Sequence, residues 1–187
     1  EQVVLFGPYQ QETWQIAYNP EKLDSVETVA VFQYNPIGVE IDTLPDFYLT
    51  SAFGGRMRDK VRHYHKVAEA FEALRKGEVS AVMAMRSEID HELAKPENEG
   101  FKAASNGFPG IGKQVWDVGM AIKHTHRQLG YALEAIVDRL VKTGEMNELM
   151  AAQNLRYSVP GYYRAFLDEQ AIARAEGGVE FGSSTTK

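Results

Sequence analysis

The amino-acid sequence predicts an α/β fold, and three stretches of its 187 residues carry that prediction. Across residues 61–106 a short strand, a helix ending at Lys76-Gly77, a second strand over 79–85 and a further helix succeed one another at the spacing of an α/β sandwich. Near the start, Phe6-Gly7-Pro8-Tyr9 closes an apolar run, and towards the end residues 115–123 read as a strand feeding a long helix. This pattern points to a cleft between strand ends and away from a self-contained catalytic motif.

In order, Val3-Val4-Leu5-Phe6 reads as a strand stopped by Gly7-Pro8, and Trp14 to Tyr18 as a second, alternating strand ended by Asn19-Pro20. Residues 21–27 form a turn in which Leu23 and Val26 touch the core. Thr28-Val29-Ala30-Val31-Phe32 is a β-branched apolar run of the type buried on both faces of a parallel sheet, so it is expected to neighbour strand 79–85 in parallel. Pro36 and Pro45 interrupt the next stretch, with helical turns expected over 46–50 and a stop at Gly54-Gly55. The run from Arg56 to Arg62 is broken by Asp59 and reads as a solvated face. Residues 61–65 are then a strand, and 67–74 a helix whose apolar face is Val67, Ala70, Phe71 and Leu74, closed by Gly77. Residues 87–94 fit a helix capped by Ser87, 101–104 a short strand, and 106–112 a glycine-rich loop. In 126–143, Leu129, Leu133, Ile136, Val137, Leu140 and Val141 recur at helical spacing, with Leu133 and Ile136 expected against the sheet and Gly144 as the stop. A short helix over 146–153 comes next, then an aromatic patch, an Ala- and Glu-rich helical piece and a Gly/Ser/Thr tail.

A net charge of -6 spread over both signs argues against a nucleic-acid partner, which needs a concentrated positive field. The absence of cysteine excludes disulfides, thiolate catalysis and cysteine-ligated metal. No stretch approaches the roughly 20 apolar residues that span a bilayer. His63 and His65 share one face of their strand, but no carboxylate in the adjacent sequence completes a metal set, and His91, His124 and His126 read as structural or solvent-facing. Phe108 to Lys113 lacks the spacing of a phosphate loop, and Glu97 and Glu99 are loop charges. The chain is therefore expected to be no enzyme and to need no metal or cofactor.

Polar solutes bind where buried strands end. Gln33, Tyr34 and Asn35 offer donors and acceptors after the 28–32 run, where backbone N–H groups bind anions; a plain Asn-Pro turn is the alternative. Tyr9 and Trp14 read as cleft wall or as core. Arg86 could attract an anionic solute or could flank its helix on the surface.

The succession resembles the C-terminal two-thirds of bacterial extracellular solute-binding proteins of family 3, which have the type II periplasmic binding fold. Phe6-Gly7-Pro8-Tyr9 is similar to the family's strand end before the hinge, Glu27-Thr28-Val29-Ala30-Val31 to the opening of its second lobe, and residues 70–84, AFEALRKGEVSAVMA, to its helix, Lys-Gly and strand signature. Residues 115–123 resemble the strand returning to the first lobe, and 129–149 the terminal helices. Two positions depart: Met85-Arg86 stand where the family often has an aspartate for an amino group, and Ser80 stands where it has Asp. The arginine-bearing half of the family's first lobe has no counterpart.

The resemblance implies a type II-like α/β protein with its second lobe complete and its first lobe largely missing. Residues 1–27 would be hinge and remnant of the first lobe, 28–112 the second lobe, 113–156 the return strand and C-terminal helices, and 157–187 a tail, with closure about 19–28 and 112–115. It implies a periplasmic, non-enzymatic protein that captures a small polar or anionic solute and works with a membrane transporter. Candidate ligand residues are Tyr9, Gln33, Tyr34, Asn35 and Arg86. An alternative comes from a branch of similar fold that is accessory to periplasmic quinoprotein alcohol dehydrogenases: a protein–protein interaction module, betrayed by a wide exposed apolar surface.

Overall fold

A computed structural model describes residues 2–104 and 114–176. The expected 106–112 loop and the extreme C-terminal tail lie outside the described residues. The chain divides into two compact units, one formed by Thr13–Val115 and a terminal one by Glu1–Glu12 with Trp116–Lys187.

The first correction is at the start. Strand β1 is continuous over Val3–Tyr18 and is not stopped at Gly7-Pro8. Proline has no N–H to give a ladder, and the Gly7 N–H donates to Glu134 Oε1 at 3.0 Å, so neither residue leaves an unmet donor there. The second is the 28–32 run, which forms a 3-10 helix over Val29–Gln33. Thr28 Oγ1 accepts the Ala30 N–H at 3.2 Å, and Val29 and Phe32 bury their side chains. A short apolar run fits either state by pattern alone, and here the threonine cap decides.

The parallel partner of strand β4 (Ala81–Met85) is therefore β2 (Ile37–Glu40), in register Ile37↔Ala81 and Gly38↔Val82, and not the 28–32 run. On its other side β2 pairs in parallel with β3 (Val61–Tyr64). β1 pairs antiparallel with β4 and with β5 (Lys102–Ala103), giving the order β3-β2-β4-β1-β5, and β6 (Val115–Lys123) also pairs with β1.

Helix α1 (Leu44–Gly55) links β2 to β3, α2 (Val67–Lys76) links β3 to β4, and α3 (Arg86–Leu93) leaves β4. α2 is the element the pattern predicts most closely. Its buried face is Val67, Ala70, Phe71, Ala73 and Leu74, and Gly77 ends it with φ +74°, a left-handed conformation that glycine adopts without a Cβ clash. That face packs with Ala17, Val79, Val82, Ala84 and Ile89 into one core. Alternation along β4 sends Ala81 and Met83, both fully buried, to the opposite face. α3 starts two residues earlier than a Ser87 cap would set it: its N-cap position is Met85, whose N–H donates to the Glu88 carboxylate at 3.1 Å.

In the terminal unit, α4 (Arg127–Thr143) ends at Gly144 as expected, and α5 (Glu145–Ala151), α6 (Gly161–Arg164) and α7 (Glu169–Glu176) come after it. Val137, Val141, Met146, Tyr157, Val159, Tyr163 and Ala175 form its core. The expectation for α4 fails at Ile136, which is 49% exposed, and at Leu129, 54% exposed, while Leu133 is half-buried. Among the described residues no helix is long and apolar enough to cross a membrane.

Candidate functional site

In parallel α/β sheets the crevice lies beyond the carboxyl ends of the strands, where the connections turn back over the sheet. Here the chain leaves β2 for β3, then returns across β2 to β4. Three strand ends and three helix starts gather at that end of the Thr13–Val115 unit: Glu40 to Thr43 before α1, His65-Lys66 before α2, and Met85 before α3.

The first of these turns is the most constrained. Asp42 has φ +61°, a conformation costly for a residue with a side chain. It is held by Asp46, which is buried on the first turn of α1: Oδ2 accepts the Asp42 N–H at 3.0 Å and Oδ1 lies 2.9 Å from His63 Nε2 on β3. Thr43 donates its hydroxyl to the Glu40 carbonyl at 2.6 Å. Glu40 Oε2 in turn accepts the Val67 N–H at the start of α2, at 3.1 Å. The N-terminal region of each helix is thus served by one of the chain's own carboxylates: Asp46 at α1, Glu40 at α2 and Glu88 at α3. Exposed Asp42, His65 and Lys66 and half-buried Arg86 complete a rim of mixed charge. Burial raises the Tyr64 phenol at the end of β3, with Glu78 adding to the shift and Arg62 opposing it. Among the described residues no group of three or more histidines and carboxylates could hold a metal ion.

Of the five candidate ligand residues, only Arg86 lies at this end. Gln33, Tyr34 and Asn35 precede Pro36, whose carbonyl accepts the Ser80 N–H at 2.8 Å, so they sit at the opposite end of the parallel strands. Five residues of β4 separate the two ends, about 16 Å of extended chain. Asn35 Nδ2 donates to the Val31 carbonyl at 3.0 Å, and Tyr34 is 80% exposed. Tyr9 belongs to the terminal unit and packs against its core. Trp14 is buried, its ring 5.0 Å from that of Tyr48. The residues that sequence reasoning missed are Glu40, Asp42, Thr43 and Asp46. A signal was present: Thr43-Leu44-Pro45-Asp46 has a capping residue, a first-turn proline and an acid three positions on.

Comparison of the backbone with solved structures returns amino acid-binding proteins. An ancestral arginine-binding protein bound to glutamine superposes with a TM-score of 0.62 at 20% identity, over 81% of this chain and 64% of that one. The chain has the type II periplasmic binding fold. The amino acid ABC transporter substrate-binding protein AbpA of Streptococcus pneumoniae, bound to L-arginine, gives 0.68 at 15% identity over 81% and 61%. The arginine-, lysine-, histidine-binding protein ArtJ of Geobacillus stearothermophilus gives 0.64 at 16% over 87% and 66%. The chain thus spans under two thirds of each of these type II proteins. No protein-family profile and no curated protein sequence matches it.

Proposed function

We propose that the protein is a non-enzymatic, periplasmic substrate-binding protein of the ABC-transporter type, which takes a small polar solute at the carboxyl ends of β2, β3 and β4. The observation that carries this reading is the convergence of three helix starts on those ends, with Asp42 held at positive φ between them. Arg86 and Lys66 bring positive charge to the rim and Asp42 negative charge, while the chain's own carboxylates occupy backbone donors that a free anion would use. A zwitterion such as an amino acid matches that rim better than a dicarboxylate, in keeping with the amino acid ligands of the proteins of similar fold. Gln33, Tyr34 and Asn35 lie at the other end, so Arg86 is the sequence candidate this reading retains.

Calorimetry against amino acids, dicarboxylates and small inorganic anions tests it. Saturable heat with an amino acid, weakened by about 2 kcal/mol or more in Arg86→Ala, is expected. No heat with any member of the panel would refute solute capture.

One observation favours a second reading, an accessory module for a periplasmic dehydrogenase. Ile41, Leu44 and Phe47, at the same strand-end turn and on α1, are 44%, 45% and 58% exposed. Exposed apolar groups at a cleft mouth suit a protein surface. Silent calorimetry together with retention of a purified quinoprotein dehydrogenase, lost on Phe47→Ser, would establish this reading over the first.

A further inference from the structure

The terminal unit contains a cleft that the solute site does not use. It has a volume of about 410 Å³ and is walled by Pro8, Tyr131, Tyr162 and Tyr163, with Glu134 and Asp138 on its helical side. The arrangement arises from local structure. Tyr131, Glu134 and Asp138 are spaced three and four apart on α4, so they form one stripe. Gly7 and Pro8 bring β1 against that stripe through the Gly7 N–H bond to Glu134 Oε1. α6 then supplies Tyr162 and Tyr163, whose rings meet edge to face at 5.2 Å.

The chemistry of the lining is one-sided. Among the described residues it holds two carboxylates, three phenol rings and no lysine, arginine or histidine. Glu134 commits one oxygen to Gly7, and Asp138 pairs with Lys142 one turn along the exposed side of α4 at 2.9 Å. Burial pushes the Tyr163 hydroxyl up to about 12, and Asp138, Tyr162 and Glu134 add to the shift. Tyr131 and Tyr162 remain 54% and 57% exposed, leaving ring surface for a ligand. An anion would be repelled there, and an uncharged apolar molecule would gain nothing from the carboxylates. A cation with an apolar skin satisfies both walls, because ring faces and carboxylates attract the same charge.

We propose that this cleft is a binding site for a small organic cation of the alkylammonium class. The ammonium group sits between the Glu134 and Asp138 carboxylates, and its methyl or methylene groups lie on Tyr131 and Tyr162. Lys142 competes for Asp138 and weakens the site.

The test is titration of the whole chain with tetramethylammonium chloride, monitored by amide and ring NMR shifts, with sodium chloride at equal ionic strength and tert-butanol as controls. Saturable shifts confined to Gly7, 131–138 and 162–163, with a dissociation constant on the order of 1 mM, are expected. Tyr162→Ala, at a ring that is 57% exposed, should weaken binding about tenfold, and Glu134→Gln, which keeps an acceptor for Gly7, by a similar factor. Lys142→Ala should tighten it. Shifts that do not saturate, equal shifts with sodium or tert-butanol, or unchanged affinity in Tyr162→Ala would overturn the proposal.

Discussion

The two units treat their apolar residues differently. In the Thr13–Val115 unit, α2 seals its whole inner face: Ala70, Phe71 and Leu74 are fully buried, and the sheet residues Ile37, Val39, Val82 and Met83 are equally closed off. In the terminal unit, α4 has the same amphipathic spacing, yet Leu129, Tyr131 and Ile136 are about half exposed or more, and only Gly130, Val137 and Val141 are closed off. Periodicity therefore identifies which residues can share an apolar face and says nothing of how much covers that face. α2 has β2, β3 and β4 to pack on, whereas in the described part of the terminal unit α4 meets α5, α7 and, at Gly130, Tyr131 and Glu134, the start of β1.

The largest expected effect sharpens this contrast. Phe71→Ala should cost about 3–5 kcal/mol, through lost transfer energy and the cavity left between α2 and the sheet. Urea melts would check it, and a loss below about 1 kcal/mol would mean that this core collapses around the gap.

Next is the tightest joint of the terminal unit. A Cβ on Gly130 would lie 2.1 Å from Cε2 of the buried Phe6 ring, and one on Gly119 would lie 2.8 Å from the Phe6 carbonyl oxygen. Gly130→Ala should therefore destabilise by about 1–3 kcal/mol despite alanine's higher helix propensity. Near-UV dichroism should report the displaced Phe6 and Tyr131 rings, which now meet edge to face at 5.2 Å. An unchanged spectrum with raised stability would place Phe6 elsewhere.

A smaller effect appears with pH. Tyr163 is held up to about 12 from its ordinary 10.0, and burial raises Tyr157 further still. The unfolded chain loses these protons first, so stability is unaffected below pH 10 and falls as pH rises towards 12. Tyr163→Phe should flatten that slope in melts monitored by tyrosinate absorbance. Tyr48 and Tyr64 of the other unit shift in the same direction, so part of the slope should persist. The smallest effect is on the exposed face of α4: Leu129→Ala should change stability by no more than about 0.5 kcal/mol. A loss above about 2 kcal/mol would show that the side chain is covered in solution.

How far the sequence revealed this molecule depends on which residues decide each element. α2, β4, β6 and α4 were legible because their periodicity is long or their ends are marked by Gly77 and Gly144. The 28–32 run was not, since a short apolar run fits strand or helix by pattern alone, and this one forms a 3-10 helix capped by Thr28. That single misreading moved the expected strand end to Gln33–Asn35 and hid the turn from Glu40 to Thr43, where the parallel strands do end. β1 was divided in two because proline usually breaks a ladder, and the compensating acceptor, Glu134, is 127 residues away. A contact of that range leaves no local signature. Arg86 lies at the carboxyl end of β4 because its position depends only on where that strand stops.

A solute met at the carboxyl ends of β2, β3 and β4 would perturb the amides of the turns there. Amide NMR of the whole chain during titration with arginine and glutamine measures this directly. Saturable shifts are expected in residues 40–46, 63–67 and 85–88, with Gln33, Tyr34 and Asn35 unmoved. Shifts centred on Gln33–Asn35, or none that saturate, would contradict it.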